Sequence, residues 1–312
     1  MTPAPASATA QLTVVRVPGH GAEDVLVAAD GSVYTGTEDG VIWRVHDDGA
    51  HLSRVASTGG RPLGLEWLPD GRILVCDARH GLLAVGPVSG EVETLTDLVH
   101  GRRMTFCNNA AVAADGTIWF SDSSRHHGIE RWKADIVENT TSGRLLRRAP
   151  DGTVTVAVDG LRFANGVALA ADESYVAVAE TAGRTVVRHW LTGHRAGETD
   201  CLAEDLPGYP DNIARGSDGL VWVTIASPRD PVVEGLMNGP MALRRAAWRL
   251  PAPLQPKPKR TARVMAFDDT GDVVHDRSFD ASSFHMVTGV REHDGRVWLG
   301  SLVEPAVAVF EV

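Results

Sequence analysis

Apolar and polar residues alternate in short runs along most of this chain, and one unit recurs six times: a polar pair, an alternating apolar stretch, a turn led by Asp, and a second alternating stretch. The copies are EDVLVAADGSVYTGT (23–37), PLGLEWLPDGRILVCD (62–77), NNAAVAADGTIWFSD (108–122), ANGVALAADESYVAVAE (164–180), PDNIARGSDGLVWVTI (210–225) and VTGVREHDGRVWLGS (287–301). Alternation with period two marks a half-buried strand. Asp-Gly between two such runs marks a hairpin, because Gly takes the positive φ of the turn. Further strand-like stretches follow most copies, such as GVIWRVH after the first and TVVRHWL after the fourth, which makes about four strands per unit. The pattern predicts an all-β fold, a six-bladed β-propeller formed by residues 1–312 as a single domain. A strand near QLTVVRV (11–17) is expected to pair with AVAVFEV (306–312), closing the ring and removing its exposed edges.

Two long gaps between the turn residues locate insertions, RHHGIERWKADIVENTTS (125–142) and the segment 229–260. The first reads as a solvated loop. The second contains VVEGLMNGPMALRRAAWRL, rich in helix formers with an apolar stripe, followed by a Pro-rich exit. It is expected to form a helix-bearing cap over one face, its Met and Leu side chains lining an apolar cleft.

The candidate chemistry comes from aligning the copies on Asp30, Asp70, Asp115, Asp172, Asp218 and Asp294 and counting back seven residues. The residues reached are Glu23, Leu63, Asn108, Asn165, Asp211 and Val287. In a propeller this position of every blade points to the same end of the central channel, so four oxygen-bearing side chains converge. Polar residues at strand starts also cap channels and hold waters. Two carboxylates and two amides at a single register instead favour a hard divalent cation. Sulfur and imidazole are absent, which disfavours zinc and copper, and ligands drawn from separate blades suit the wide, irregular cage of Ca2+ better than the small octahedron of magnesium. Asp24, Asn109 and Asn212 follow immediately and are placed to add a ligand or support.

Composition narrows the partners. With 43% hydrophobic and 22% charged residues the chain can build a core, and a formal net charge of -10 without a basic block argues against nucleic acid. A small-molecule substrate fits better. The N-terminus lacks the features of a signal peptide and no apolar run approaches membrane-spanning length, so a cytoplasmic protein without a membrane partner is expected. Cys76, Cys107 and Cys201 are far apart and read as reduced thiols. His126 and His127 lie in the first insertion, while Asp77, Asp122 and Glu180 end second strands, where turn capping is the ordinary role. His285 just precedes the sixth inner strand, within reach of the channel mouth. No GxSxG elbow, HExxH, phosphate loop or dinucleotide fingerprint is present.

The stretches NNAAVAADGTIWFSDSS, SGRLLRRAPDGTVTVAVDGLRFANGVALAADESYVAVAET, LPGYPDNIARGSDGLVWVT and EHDGRVWLGSLVEP together resemble the strictosidine-synthase-like branch of the calcium-dependent propeller superfamily, which also holds the gluconolactonases, senescence-marker protein and the paraoxonases. The resemblance covers nearly the whole chain. It implies a six-bladed propeller whose calcium ligands match Glu23, Asn108, Asn165 and Asp211, with Asn212 also near the ion. It does not extend to every catalytic group. Thr288 stands where the plant synthase has Glu, and the paraoxonase histidine dyad falls near Leu63 and Asp77. The remaining expectation is calcium-dependent hydrolysis of a lactone or ester. In it Asp211 acts as general base, Asn108 orients the substrate, and His285 or Asp77 competes for the acid–base role. A lyase or cyclase on the same scaffold, and a non-catalytic binding propeller, are the alternatives.

Overall fold

In the computed structural model, which describes residues 11–251 and 255–312, the repeated unit folds into hairpins for a reason visible at the turns. Asp30, Asp70, Asp115, Asp172 and Asp218 each accept the backbone N–H two residues ahead at 2.8–3.0 Å, the Asx-turn chemistry that short acidic side chains favour. The residue after Asp then adopts positive φ, between 80° and 85° at Gly31, Gly71, Gly116 and Gly219, and 54° at Glu173 in the fourth copy. Six antiparallel sheets of four strands result. Their innermost strands are Leu26–Val27, Pro62–Trp67, Cys107–Val112, Ala164–Leu169, Gly208–Arg215 and Val287–His293. The ring closes as the sequence predicts: Thr13–Arg16 pairs with Ala306–Glu311 and forms the outer edge of the sixth blade. The core lies between neighbouring blades, with Tyr175, Leu206, Val223 and Ile225 in one such layer and Leu26, Ile42, Leu65 and Val75 in another.

The sixth copy departs from the other five. Its turn is a two-residue type, Asp294 and Gly295 both at positive φ between the paired His293 and Arg296, so Asp294 stands one residue closer to the strand. Counting back seven therefore overshoots by one. The residue matching Glu23 and Asn108 is Thr288, not Val287, which is buried in the layer beneath.

What aims this position at the channel is a bulge. In blades two to six the inner-strand ladder skips here, for example between Cys107 and Ala110 and between Ala164 and Val167. An extra residue in one strand bends it and redirects the side chain. Asn108, Asn165, Asp211 and Thr288 are thereby turned upward. The next position alternates around the ring as Asp24, Gly64, Asn109, Gly166, Asn212, Gly289. Each Gly lets a neighbouring backbone approach, and each of the first two acidic or amide side chains reaches the following blade. Asp24 Oδ2 accepts the Leu65 N–H at 2.9 Å and Asn109 Oδ1 accepts the Val167 N–H at 2.9 Å. A Cβ on Gly166 meets the backbone N of Ile213 at 2.0 Å. Gly166→Ala is therefore expected to destabilise the protein by about 3 kcal/mol through overpacking against backbone that cannot yield, measured as a lower urea midpoint with an unchanged slope.

Among the described residues three α-helices lie outside the sheets: α1 (Trp132–Glu138), α2 (Pro231–Met237) and α3 (Met241–Arg249). The second insertion is helical as expected, with α2 started by Asp230, whose side chain accepts the N–H groups of Val232 and Val233, and by Pro231 at the first turn. The first insertion is not merely a loop, since it carries α1, ended by Asn139 in the left-handed region. The expected Met and Leu lining is also corrected. Met241 and Leu243 face solvent at 41% and 58% exposure, and it is Met237 that packs inward with Leu63, Phe106 and Phe163.

Candidate functional site

Glu23, Leu63, Asn108, Asn165, Asp211 and Thr288 meet at one mouth of the channel, one from each blade. The two amides are oriented alike. Asn108 Nδ2 donates to Ser123 Oγ at 2.9 Å and Asn165 Nδ2 to Thr181 Oγ1 at 3.2 Å, which leaves both carbonyl oxygens turned away from those hydroxyls. Asn108 Oδ1, Asn165 Oδ1 and Asn212 Oδ1 are buried and have no hydrogen-bond partner among the described residues. An unsatisfied buried acceptor costs about 1–3 kcal/mol. Two such carbonyls and two carboxylates line one mouth, a donor set that a cation would satisfy.

The carboxylates tell the same story. Burial, then Asp24 and Asp211, push Glu23 well above the usual carboxylate range, against the opposing influence of Arg61 and Asn212. Burial raises Asp211 to about 7 and Asp24 to about 6. Asn212 supports Glu23 from below, its Nδ2 lying 3.2 and 3.3 Å from the two carboxylate oxygens. Thr288 Oγ1 donates to the Glu23 carbonyl at 2.8 Å and so holds the backbone beneath that carboxylate. The donor set is hard, all oxygen, and carries two formal negative charges, which fits calcium. Among the described residues no three His, Cys, Asp or Glu side chains cluster as a metal site; the amides supply what further carboxylates or imidazoles would.

The other sequence candidates lie elsewhere. His285 is not among the residues lining the mouth. Its Nδ1 faces Glu304 Oε1 and its Nε2 lies 3.3 Å from the Arg260 guanidinium, so both ring nitrogens are occupied. Asp77 accepts the N–H groups of Arg79 and His80 at 2.9 and 3.0 Å. Asp122 accepts the Phe106 N–H, and Glu180 the Arg162 N–H. Asp77 thus caps its own turn, whereas Asp122 and Glu180 tie the residues that lead into their blades' inner strands to the end of the second strand. His127 pairs with Glu138 at 3.2 Å within the first insertion. Cys76, Cys107 and Cys201 are free thiols; burial pushes Cys107 well up and Cys201 to about 11, which leaves these last two unreactive.

Beside the mouth lies a cleft of about 580 Å3, including its open entrance, walled by Trp132 and Ile136 of α1, Val233 of α2, and Pro256 to Pro258. Asp211 borders both spaces. Tyr209 also lines the cleft, its hydroxyl buried beside the Asp230 backbone. An apolar cleft under the second insertion was expected from the sequence, but the share of the first insertion in its walls was not, because the two insertions lie far apart along the chain.

A six-bladed propeller with an oxygen-lined polar site at its channel mouth and a capped cleft beside it defines the class. The chain belongs to the SMP-30/gluconolactonase/LRE-like family, whose profile matches residues 37–233, and residues 4–45 match the N-terminal region of the strictosidine synthase-like proteins. It is 34% identical over 244 residues to Protein STRICTOSIDINE SYNTHASE-LIKE 13 of Arabidopsis thaliana, covering 75% of this chain and 60% of that one. It is 31% identical over 313 residues to the adipocyte plasma membrane-associated protein of Rattus norvegicus, covering 92% and 82%. Among solved structures it resembles a gluconolactonase of Xanthomonas campestris, with a TM-score of 0.71, 16% identity, and 97% and 89% coverage. It also resembles the calcium-binding protein regucalcin of Agrobacterium tumefaciens, with a TM-score of 0.66, 13% identity, and 95% and 90% coverage. At these identities the two structural likenesses speak for the fold alone.

Proposed function

We propose that the protein is a calcium-dependent hydrolase of a lactone or ester, with the ion held by Glu23, Asn108, Asn165 and Asp211 and Asn212 close by. The observation that carries the reading is the pair of orphaned carbonyls, Asn108 Oδ1 and Asn165 Oδ1, at the same mouth as two buried carboxylates. When bound, calcium supplies a fixed double positive charge that favours negative charge developing on a carbonyl oxygen. Asp211 is the carboxylate that faces both the mouth and the cleft, so it is placed to take the proton of an attacking water. Asn108, fixed by Ser123, orients the substrate carbonyl. The apolar wall of Trp132, Ile136 and Val233 excludes water from the acyl portion.

Membership in a family named for gluconolactonase supports hydrolysis. Against condensation stands Thr288, whose hydroxyl is already engaged with the Glu23 carbonyl and which has no carboxylate to exchange a proton. The test is a panel of γ- and δ-lactones and aryl esters, with and without chelator, beside an amine–aldehyde pair. Hydrolysis that chelator removes and calcium restores is expected, with no carbon–carbon bond formation. Condensation by a calcium-loaded sample that leaves lactones and esters untouched contradicts the reading.

A further inference from the structure

The chain contains 30 basic residues of which only three are Lys, at positions 133, 257 and 259, and all three surround the cleft beside Asp211. Lys133 of α1 and Lys257 line it directly. Lys259 sits on its rim, with its ammonium 3.1 Å from Asp230 and its backbone N–H donated to Ser227, both of which line the cleft. Arg serves nearly every surface ion pair elsewhere, so the concentration of a compact, mobile point charge at this one place is distinctive.

Lys133 and Lys257 differ from Lys259 in having no carboxylate partner among the described residues. The nearest candidate on the wall, Asp230, is taken by Lys259 and by the first turn of α2. Lys133 is half-buried, with its ammonium 5.3 Å from the Trp132 ring centre, and both residues line the cleft. Burial and the neighbouring Lys257 charge both lower its pKa, so the two ammonium groups repel, and among the described residues neither has a carboxylate within ion-pair distance. In a protein of net charge -10, two cations on one cleft wall without an ion-pair partner, where Asp230 is already paired with Lys259, favour an anionic group there.

We propose that Lys133 and Lys257 bind an anionic group, a carboxylate or a phosphate, carried by the substrate whose carbonyl is presented at Asp211. The inference rests on the hydrolase reading for its chemistry and names the substrate class: lactones or esters bearing a second, negatively charged group beyond an apolar spacer. Tyr209, whose buried hydroxyl lies on the same cleft, is placed to donate to that group.

Two measurements separate this subsite from the hydrolase reading. The first is calorimetric binding of glutarate and of phenyl phosphate at low salt to the calcium-loaded protein, which distinguishes the two anion sources and needs no turnover. Binding of at least one is expected, weakened 10-fold or more in Lys133→Gln/Lys257→Gln and retained in Lys133→Arg/Lys257→Arg. The second is the ratio of kcat/KM for the 4-nitrophenyl monoester of glutarate to that of 4-nitrophenyl pentanoate. It is expected to exceed about 10 and to fall toward one in the double Gln variant, through KM, with the double Arg variant restoring it. Anion binding without hydrolysis of either ester supports the subsite while removing the hydrolase reading. Failure of both anions to bind, or equal binding by the folded double Gln variant, overturns the subsite.

Discussion

Replacing Asp211 with Asn is expected to weaken calcium binding by about 100-fold or more, since one of two formal charges facing the ion is lost, and to lower turnover by roughly 10^2–10^4-fold, the range of a proton-transferring group. The same substitution is expected to raise the melting temperature of the chelated protein. Asp211 is 9% exposed and its carboxyl is held at about 7 by burial, so at pH 8 the metal-free fold carries a negative charge that water would solvate better. Asparagine keeps the shape and removes that charge. Opposite signs in the two assays, lost activity and a more stable chelated protein, set this residue apart from a merely structural one. Calcium titration and thermal melts of wild type and Asp211→Asn at pH 8 check it. A variant less stable than wild type in chelator contradicts the electrostatic account of the site.

Chelation itself is expected to lower the melting temperature of the wild type by about 5 °C at pH 8. A ligand at about 100 times its dissociation constant contributes about 2.7 kcal/mol, and a chain of this size shifts by roughly 2 °C per kcal/mol. The effect has a definite pH dependence. Glu23, Asp24 and Asp211 all have folded pKa values raised above those of unfolded carboxylates. Their favourable contribution to the metal-free fold is therefore complete below about pH 4 and is lost as pH rises through about 6 and about 7, where Asp24 and Asp211 ionise in place. Bound calcium favours the ionised forms. The gap between calcium-loaded and chelated melting temperatures should consequently be small at pH 5 and widen to pH 8. A gap that is constant or narrows over this range contradicts the assignment of Glu23 and Asp211 to the ion.

The blade count and the positions Glu23, Asn108, Asn165 and Asp211 were legible in the sequence because five of the six hairpins share one relation between turn and strand. There the Asp side chain must cap the backbone two residues ahead, so counting from it lands on one structural position. Asp294 lies in a shorter turn, and the same count misses Thr288 by one. The alternation from Asp24 to Gly289 was also written in the sequence, but its meaning was not. It requires knowing that a bulge frees the N–H of Leu65 or Val167 for a side chain of the preceding blade. Helix α1 is only seven residues long, too short for its periodicity to stand out, and the cleft it forms depends on α2, about a hundred positions later. His285 looked available by its distance from the inner strand, yet Glu304, on the loop after the next strand, engages its ring.

The claim on which the rest depends is that the channel mouth holds one calcium ion. Metal analysis by inductively coupled plasma mass spectrometry of the protein purified without chelator, with Glu23→Gln/Asp211→Asn prepared in parallel, tests it most directly. One calcium per wild-type chain and none in the double variant is the predicted result; a wild-type protein that is active while containing zinc, or while containing no metal, contradicts it.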